Sequence, residues 1–380
     1  MNPLTRQSIE EHERAALAPW AARSAESLGR VYRQDEHPLR TCYQRDRDRI
    51  VHAAAFRRME YKTQVFIPHE QDHFRTRLTH TIEVAQISRT LARNLRLNED
   101  LTEAVALVHD LGHTPFGHAG EEVLNRLLSD HGGFNHNRQS LRVVDMLEQR
   151  YPEHPGLNLS YEVREGIAKH ETTIRMSFPE FDRFPNPTLE ATLVDIADEI
   201  AYNAHDIDDG VASGLITLEQ VNSSYSLQDP LVALPTELKG LDDDYRRYAM
   251  VRGLINRCAT DVITETAHRL DQANVRSLLE VRRSETKLAG FSSELTPAVD
   301  NLKTFLLGSL YRHPKLKGLS QRASDIIEGI FERLSDDPTM MPERFQDMLS
   351  DQSSEIVIAD YIAGMTDRYA ERVARKLSVL

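Results

Sequence analysis

Apolar residues recur at helical spacing along almost the whole chain, and nowhere does a series of segments alternate apolar and polar residues as half-buried strands do. From Ile82 to Leu97, Ile82, Ala85, Ile87, Leu91, Ala92 and Leu95 recur mostly at steps of three and four. The spacing predicts further helices over 101–111, 188–207, 246–270, 298–310, 322–334 and 356–377, and an amphipathic turn series at Leu141, Val144 and Leu147. The unbroken apolar run Ala104–Val108 makes 101–111 a central, buried helix. A short hairpin is expected near Gln64–Phe74. Proline and polar residues predict loops at 151–160 and 177–188, with a weaker break at 223–245. The fold class is therefore all-α. Residues 1–215 are expected to form a His-rich core, and 216–380 a helical region packing on it as one continuous unit.

Composition narrows the function. The 380 residues carry a net charge of −13, which argues against a dedicated duplex-DNA binder, since phosphate contacts need Lys and Arg. No apolar run approaches the ~20 residues of a membrane span, and the N-terminus lacks a secretory apolar core. Cys42 and Cys258 lie far apart without a CxxC pair. They exclude a disulfide framework or zinc ribbon and suit a reducing cytoplasm. No GxxxxGK[ST] or GxGxxG occurs, so phosphates are not held by a P-loop or a Rossmann turn.

Histidine is the outlier: eight of the 16 lie between His69 and His136. His109 and Asp110 are adjacent at the expected end of a helix, where Gly112 reads as a stop signal, and a bend there lets both reach one ion. His80, just ahead of a helix, is a third candidate ligand. Asp195, Asp198, Tyr202 and Asp206 share one face of the expected 188–207 helix. Asp195 and Asp198 sit in an apolar frame, and carboxylates so placed need a partner such as a metal. The two compete for that role.

His118 and Glu121 are three apart on a helix restarting after Pro115 and Gly117, so the carboxylate can orient the imidazole for proton transfer. His136, at another helix start, is a second candidate imidazole. Nine basic residues lie between Asp35 and His80 in an otherwise acidic chain. Arg77, three residues before His80, is placed to share a phosphate with the metal. Arg45, Arg47 and Arg49 read as a solvated, ion-paired face.

With these residues in view, His80, His109-Asp110 and Asp198 resemble the H…HD…D signature of HD-domain metal-dependent phosphohydrolases. RDRDRIVHAAAFRRMEYKTQVF, RTRLTHTIEVAQI, HDLGHTPFGHAGEE, DIADEIAYNAHDIDDG, LKTFLLGSLYRHP and DYIAGMTDRYA narrow the resemblance to the deoxyguanosine triphosphate triphosphohydrolase family, over roughly residues 30–375. It implies an all-α HD-domain helical fold with additional C-terminal helices. It also implies one divalent ion per subunit on His80, His109, Asp110 and Asp198: Mn or Mg, with Fe, Ni, Co or Zn as alternatives. The implied reaction cleaves a deoxynucleoside triphosphate to deoxynucleoside and triphosphate. His118 and Glu121 become the catalytic pair, His113 and His136 line the triphosphate path, and Arg77 binds phosphate. Gln64, Tyr202 and Asp206 fit the deoxyribose, with Tyr202 disfavouring a 2′-hydroxyl. A homo-oligomer, and an allosteric nucleotide or single-stranded DNA, are the further partners it implies. The rival readings are an HD phosphodiesterase or nucleotidase, and a nucleotide-sensing protein with little turnover.

Overall fold

A computed structural model describes residues 3–64, 74–170, 177–224 and 242–379. The expected hairpin near Gln64–Phe74 falls largely on 65–73, outside the described residues. Thr63 and Thr76, on either side of it, form an isolated antiparallel bridge.

The described residues are all-α, without a strand beyond isolated bridges. The first half holds α1 (Arg6–Ala16), α2 (Cys42–Val51), α3 (Ala54–Arg58), α4 (Arg77–Asn94), α5 (Glu99–Val108), α6 (His118–Leu127), α7 (His136–Arg142), α8 (Tyr161–Ala168) and α9 (Leu189–Ala212). Then come α10 (Leu218–Ser224), α11 (Asp243–Gln272), α12 (Leu278–Arg283), α13 (Thr296–Leu306), α14 (Pro314–Asp336), α15 (Glu343–Gln346), α16 (Ser354–Ala363) and α17 (Asp367–Lys376). Wide π-type turns extend α7 over Val143–Leu147 and α13 over Leu307–Tyr311. Both cysteines are free and buried, and no described helix is long and apolar enough to cross a membrane.

Helix α5 is the axle. From Leu101 to Val108 only Glu103 is not buried, and α2, α4, α8 and α9 pack around it. Its start is set by Asn98, whose side chain accepts from the Leu101 amide at 3.1 Å. Thr76 and Thr188 cap α4 and α9 in the same way, at the Thr79 and Ala191 amides. Truncating a fully buried side chain such as Leu101 to alanine costs roughly 2–5 kcal/mol. A second apolar cluster joins Val123 and Leu124 of α6 to Ile326, Ile330, Val357, Ile362 and Ala370 of α14, α16 and α17. The expected single helix over 356–377 is two helices. The chain breaks at Gly364–Thr366, and Thr366 caps α17 through the Tyr369 amide.

Arg49 departs from the expected solvated face. It is buried and donates to the Leu157 and Asn158 carbonyls at 2.8 and 2.7 Å. Arg47 behaves as expected, pairing with Asp100 and Glu103.

Glu190, in the first turn of α9, joins three segments by accepting the Ala22 and Asn98 amides at 2.9 and 3.1 Å. Burial pushes its carboxyl up to about 7, although these amides pull the other way. The native chain thus holds this proton more tightly than the unfolded chain. The group's stabilisation is complete below pH 4.5 and is lost as pH rises through about 7. Glu190→Gln should flatten that decline and leave the variant more stable than the parent at pH 8, by on the order of 3 kcal/mol at most. Urea unfolding at pH 5 and pH 8 measures the difference.

Candidate metal centre and active site

Three elements bring the site together. The first turn of α4 supplies Arg77 and His80, so His80 lies inside the helix rather than ahead of it. The end of α5 and the turn after it supply His109 and Asp110, and the middle of α9 supplies Asp198. Each of the two carboxylates lies within 4 Å of both imidazole Nε2 atoms. Asp198 is 2.8 Å from His80 and 3.7 Å from His109, while Asp110 is 3.9 Å from His80 and 3.5 Å from His109. Donors about 2.1 Å from one octahedral ion sit about 3 Å apart, so the spacing fits a shared cation.

His109 tests that fit. Its Nδ1–H donates to the Ala106 carbonyl at 2.7 Å, fixing the tautomer and turning the Nε2 lone pair toward the carboxylates. That Nε2 is buried without a hydrogen bond among the described residues. A lone pair facing two carboxylates is repelled unless a cation or a proton lies between them. The proton alternative has the same electrostatic origin: burial opposes charge on His109, yet Asp110 and Asp198 push it up to about 9. Asp110 and Asp198 are held well below the usual carboxylate range, because imidazoles and, at Asp110, Arg77 outweigh their burial.

Helical spacing alone left Asp195 and Asp198 as rivals, and the family resemblance implied Asp198. In the structure Asp195 accepts from His170 at 2.5 Å, whereas Asp198 faces both His80 and His109. His170, not singled out in the sequence, also comes within 3.7 Å of Asp198. Behind His80 runs a second unforeseen chain: His80 Nδ1 meets His205 Nδ1 at 3.2 Å, and His205 Nε2 meets Glu83 at 2.6 Å. Burial lowers His205 to about 4, so it is neutral near pH 7. With Nε2–H donating to Glu83, its Nδ1 accepts from His80 and leaves His80 Nε2 directed at Asp198.

Beside this cluster lie the proton-transfer candidates. His113 Nδ1 is 3.0 Å from Asp110, and its ring stacks on His136 at 4.0 Å. Burial and the Arg77 charge hold His113 neutral, well below its ordinary range. Glu121 is buried and works in two directions: its carboxylate is 3.7 Å from His118 Nδ1 but 2.9 Å from His136 Nδ1, and it also accepts the His136 amide at 2.9 Å. Burial would raise Glu121, but bonds from His118 and His136 hold it ionised. The His118 side chain is 60% exposed, open to a substrate.

Arg77 is buried and donates to Asp110 at 2.9 Å, so one arm of its fork is committed to the cluster. The other arm faces Gly117, where a Cβ would lie 3.2 Å from Nη2. Tyr202 stacks on Tyr311 at 6.0 Å, and the Tyr311 hydroxyl donates to Asp206. Burial pushes Asp206 well above its usual range. The wide turn at 307–311 delivers Tyr311, another residue the sequence did not single out. Gln64, His118 and Tyr311 line a small cavity of about 110 Å³; Tyr202 and Asp206, the other candidate sugar residues, are not in its lining and contact Tyr311.

Two backbone features hold this arrangement. Gly112 acts by close approach rather than as a left-handed stop: a Cβ would sit 2.2 Å from the His136 carbonyl and the Ser140 amide. Phe116 and Gly117 both have positive φ, at 62° and 59°. Asp367 of α17 secures that turn by accepting the Phe116 amide at 2.9 Å and the Thr63 amide at 2.8 Å. Gly112→Ala should cost about 3 kcal/mol or more, since backbone rather than a flexible side chain must move. Thermal and urea unfolding read this, and a variant as stable as the parent would contradict the close contact.

Two family models match the chain. Residues 77–203 match the HD domain, and residues 289–376 match the phosphohydrolase-associated domain. A deoxyguanosinetriphosphate triphosphohydrolase-like protein of Geobacter sulfurreducens is 49% identical over 96% of this chain and 95% of its own length. Proteins of the same name from Thiobacillus denitrificans and Brucella ovis are 48% and 45% identical, each over 95% of this chain and over 97% and 95% of their own. A solved hypothetical protein of Aquifex aeolicus is 18% identical and covers 87% of this chain and 71% of its own at a TM-score of 0.41. The HD domain match contains all four candidate ligands, the associated-domain match contains Asp367, and the full-length likeness lies far above 30% identity. The chain therefore belongs to the HD-domain phosphohydrolases, in the family of deoxyguanosinetriphosphate triphosphohydrolase-like proteins.

Proposed function

We propose that the chain hydrolyses deoxynucleoside triphosphates, dGTP or several of them, to deoxynucleoside and inorganic triphosphate in a metal-dependent reaction. The observation that carries this reading is the convergence of His80, His109, Asp110 and Asp198 beside His118 and Glu121. The relatives' name supports the nucleotide class. In this proposal those four residues hold one divalent ion, Mn or Mg as the family resemblance implies, with Fe, Ni, Co or Zn as alternatives that two imidazoles suit. Such an ion, when bound, supplies Lewis acidity toward phosphate oxygens and makes water more acidic.

The chain's own residues do the rest. Arg77 offers the arm not engaged by Asp110 to a phosphate oxygen. His113 and His136, stacked on each other, line the triphosphate path. Water adds to the α-phosphorus, giving up a proton to solvent, and the bond to the 5′-oxygen breaks. His118 delivers a proton to that departing oxygen, and Glu121 holds its ring. Gln64, Tyr202 and Asp206 receive the deoxyribose, with Tyr202 crowding a 2′-hydroxyl.

Manganese-loaded protein incubated with each dNTP, singly and in mixtures, should yield deoxynucleoside and triphosphate, with GTP cleaved more slowly than dGTP. Mixtures reveal activation of one nucleotide's cleavage by another. Pyrophosphate or orthophosphate as the first product would replace this reading with a phosphodiesterase or nucleotidase, and binding without turnover with a sensor. His118→Ala should lower kcat by about 10²–10⁴-fold while barely changing Tm, because the side chain is exposed.

A second expectation follows from His109. Held near 9, it carries a proton at neutral pH that a cation must displace. Apparent Mn²⁺ affinity should therefore rise between pH 6 and 8, by about tenfold per pH unit for one released proton. Calorimetry in buffers of different ionisation enthalpy counts the protons, and a pH-independent affinity would remove His109 from the ligand set.

A further inference from the structure

The proton-transfer residues hold donors that the proposed reaction does not exhaust. One ligand atom each of His113, His118 and Glu121 lies within 4.8 Å of the other two. None of the three belongs to the set His80, His109, Asp110 and Asp198. His118 Nδ1 and the Glu121 carboxylate are 3.7 Å apart, close to the ~3.4 Å that separates two donors on one tetrahedral ion. The His113 ring meets the His118 ring edge-on, with centroids 5.8 Å apart.

The local fold explains the meeting. His113 follows the turn that closes α5, and His118 and Glu121 share the first turn of α6 three residues apart. Phe116 and Gly117, both at positive φ, bend the chain so that α6 begins beside His113.

Charge and exposure suit a cation there. Glu121 is ionised, and the oxygen not facing His118 stays with His136 at 2.9 Å. A neutral imidazole keeps one lone pair whichever nitrogen carries the proton. The Arg77 charge beside His113 is balanced by Asp110. His113 is buried, but the His118 side chain is 60% exposed. Its ring is therefore free to close on the other two, and solvent reaches the fourth position.

Two imidazoles, one carboxylate and one open position are a donor set of tetrahedral zinc. Manganese and magnesium prefer six donors, mostly oxygen, so they are poorly served by it. We propose that His113, His118 and Glu121 form a second metal site, selective for zinc-like ions, that arrests turnover when filled. A bound ion takes the His118 lone pair and the Glu121 oxygen on which proton transfer depends. The arrest rests on the proposed reaction, whereas the site itself does not.

The probe for the site is Co²⁺, which absorbs visible light far more strongly when four-coordinate than when six-coordinate. Titrated into the metal-free full chain, it should bind two equivalents, one of them giving the intense band. His118→Ala, at an exposed position, should bind one equivalent without that band. The isosteric Asp198→Asn, which alters the other centre, should keep it. A parent chain that binds a single equivalent would overturn the site. So would a band that survives His118→Ala or is lost in Asp198→Asn. For the arrest, Zn²⁺ is added to the manganese-loaded chain while dNTP turnover is assayed and free Mn²⁺ is followed by electron paramagnetic resonance. Turnover should fall tenfold or more with the manganese still bound. A loss that tracks manganese release, or no loss, would overturn the arrest. A chain that cleaves no dNTP before zinc is added would refute the proposed reaction and leave the cobalt result standing.

Discussion

Two ionised carboxylates, Asp110 and Asp198, face two imidazoles where α4, α5 and α9 meet, and much of the molecule exists to make that tolerable. A buried charge without compensation is among the costliest features a protein can carry. Compensation here is local and layered. Arg77 takes one oxygen of Asp110, while His80 Nε2 lies 2.8 Å from Asp198 with its Nδ1 engaged by His205. His109 is left with its nitrogen between them, and a cation suits that gap better than any further side chain. The buried α5 is what makes the geometry dependable. A helix packed on all sides cannot slide, so its end presents His109 and Asp110 at a fixed place.

The surrounding residues hold orientations rather than supply new chemistry. Ala106 fixes the His109 tautomer, and Glu83 acting through His205 fixes that of His80. Glu121 meets His118 at 3.7 Å and His136 at 2.9 Å, so one carboxylate orients both imidazoles. Such arrangements hold reacting groups to a narrow range of positions before substrate arrives.

Much of this was legible in the sequence because it is local. Helical spacing located α4, α5, α9 and α11 to within a few residues, and the adjacent His109-Asp110 pair announced itself. The starts of α6 and α7 at His118 and His136 followed from the turn residues before them. The one-face argument narrowed the acid on α9 to two residues but could not separate them, since Asp195 and Asp198 differ only in which imidazole each meets. His170, His205 and Tyr311 were illegible for a related reason. Each acts through a partner 25 or more residues away, and nothing in its own neighbourhood marks it. Arg49 misled because its charge is satisfied by loop carbonyls, which leave no trace in composition.

Lys62 and Asp367 tie the C-terminal helices to the turn beside the metal cluster. Burial and nearby arginines bring the Lys62 ammonium down to about 7, and it donates to the carbonyls of both His113 and Ala363. Every candidate ligand precedes residue 204, so a fragment ending there would keep all the metal chemistry on paper. It would nonetheless lose the carboxylate that fixes the Phe116–Gly117 bend and one of the two acceptors of a buried cation. The two halves are therefore not interchangeable modules. A C-terminal segment taken from a relative would have to bring a carboxylate at the place of Asp367 and a carbonyl at that of Ala363 to hold the same bend.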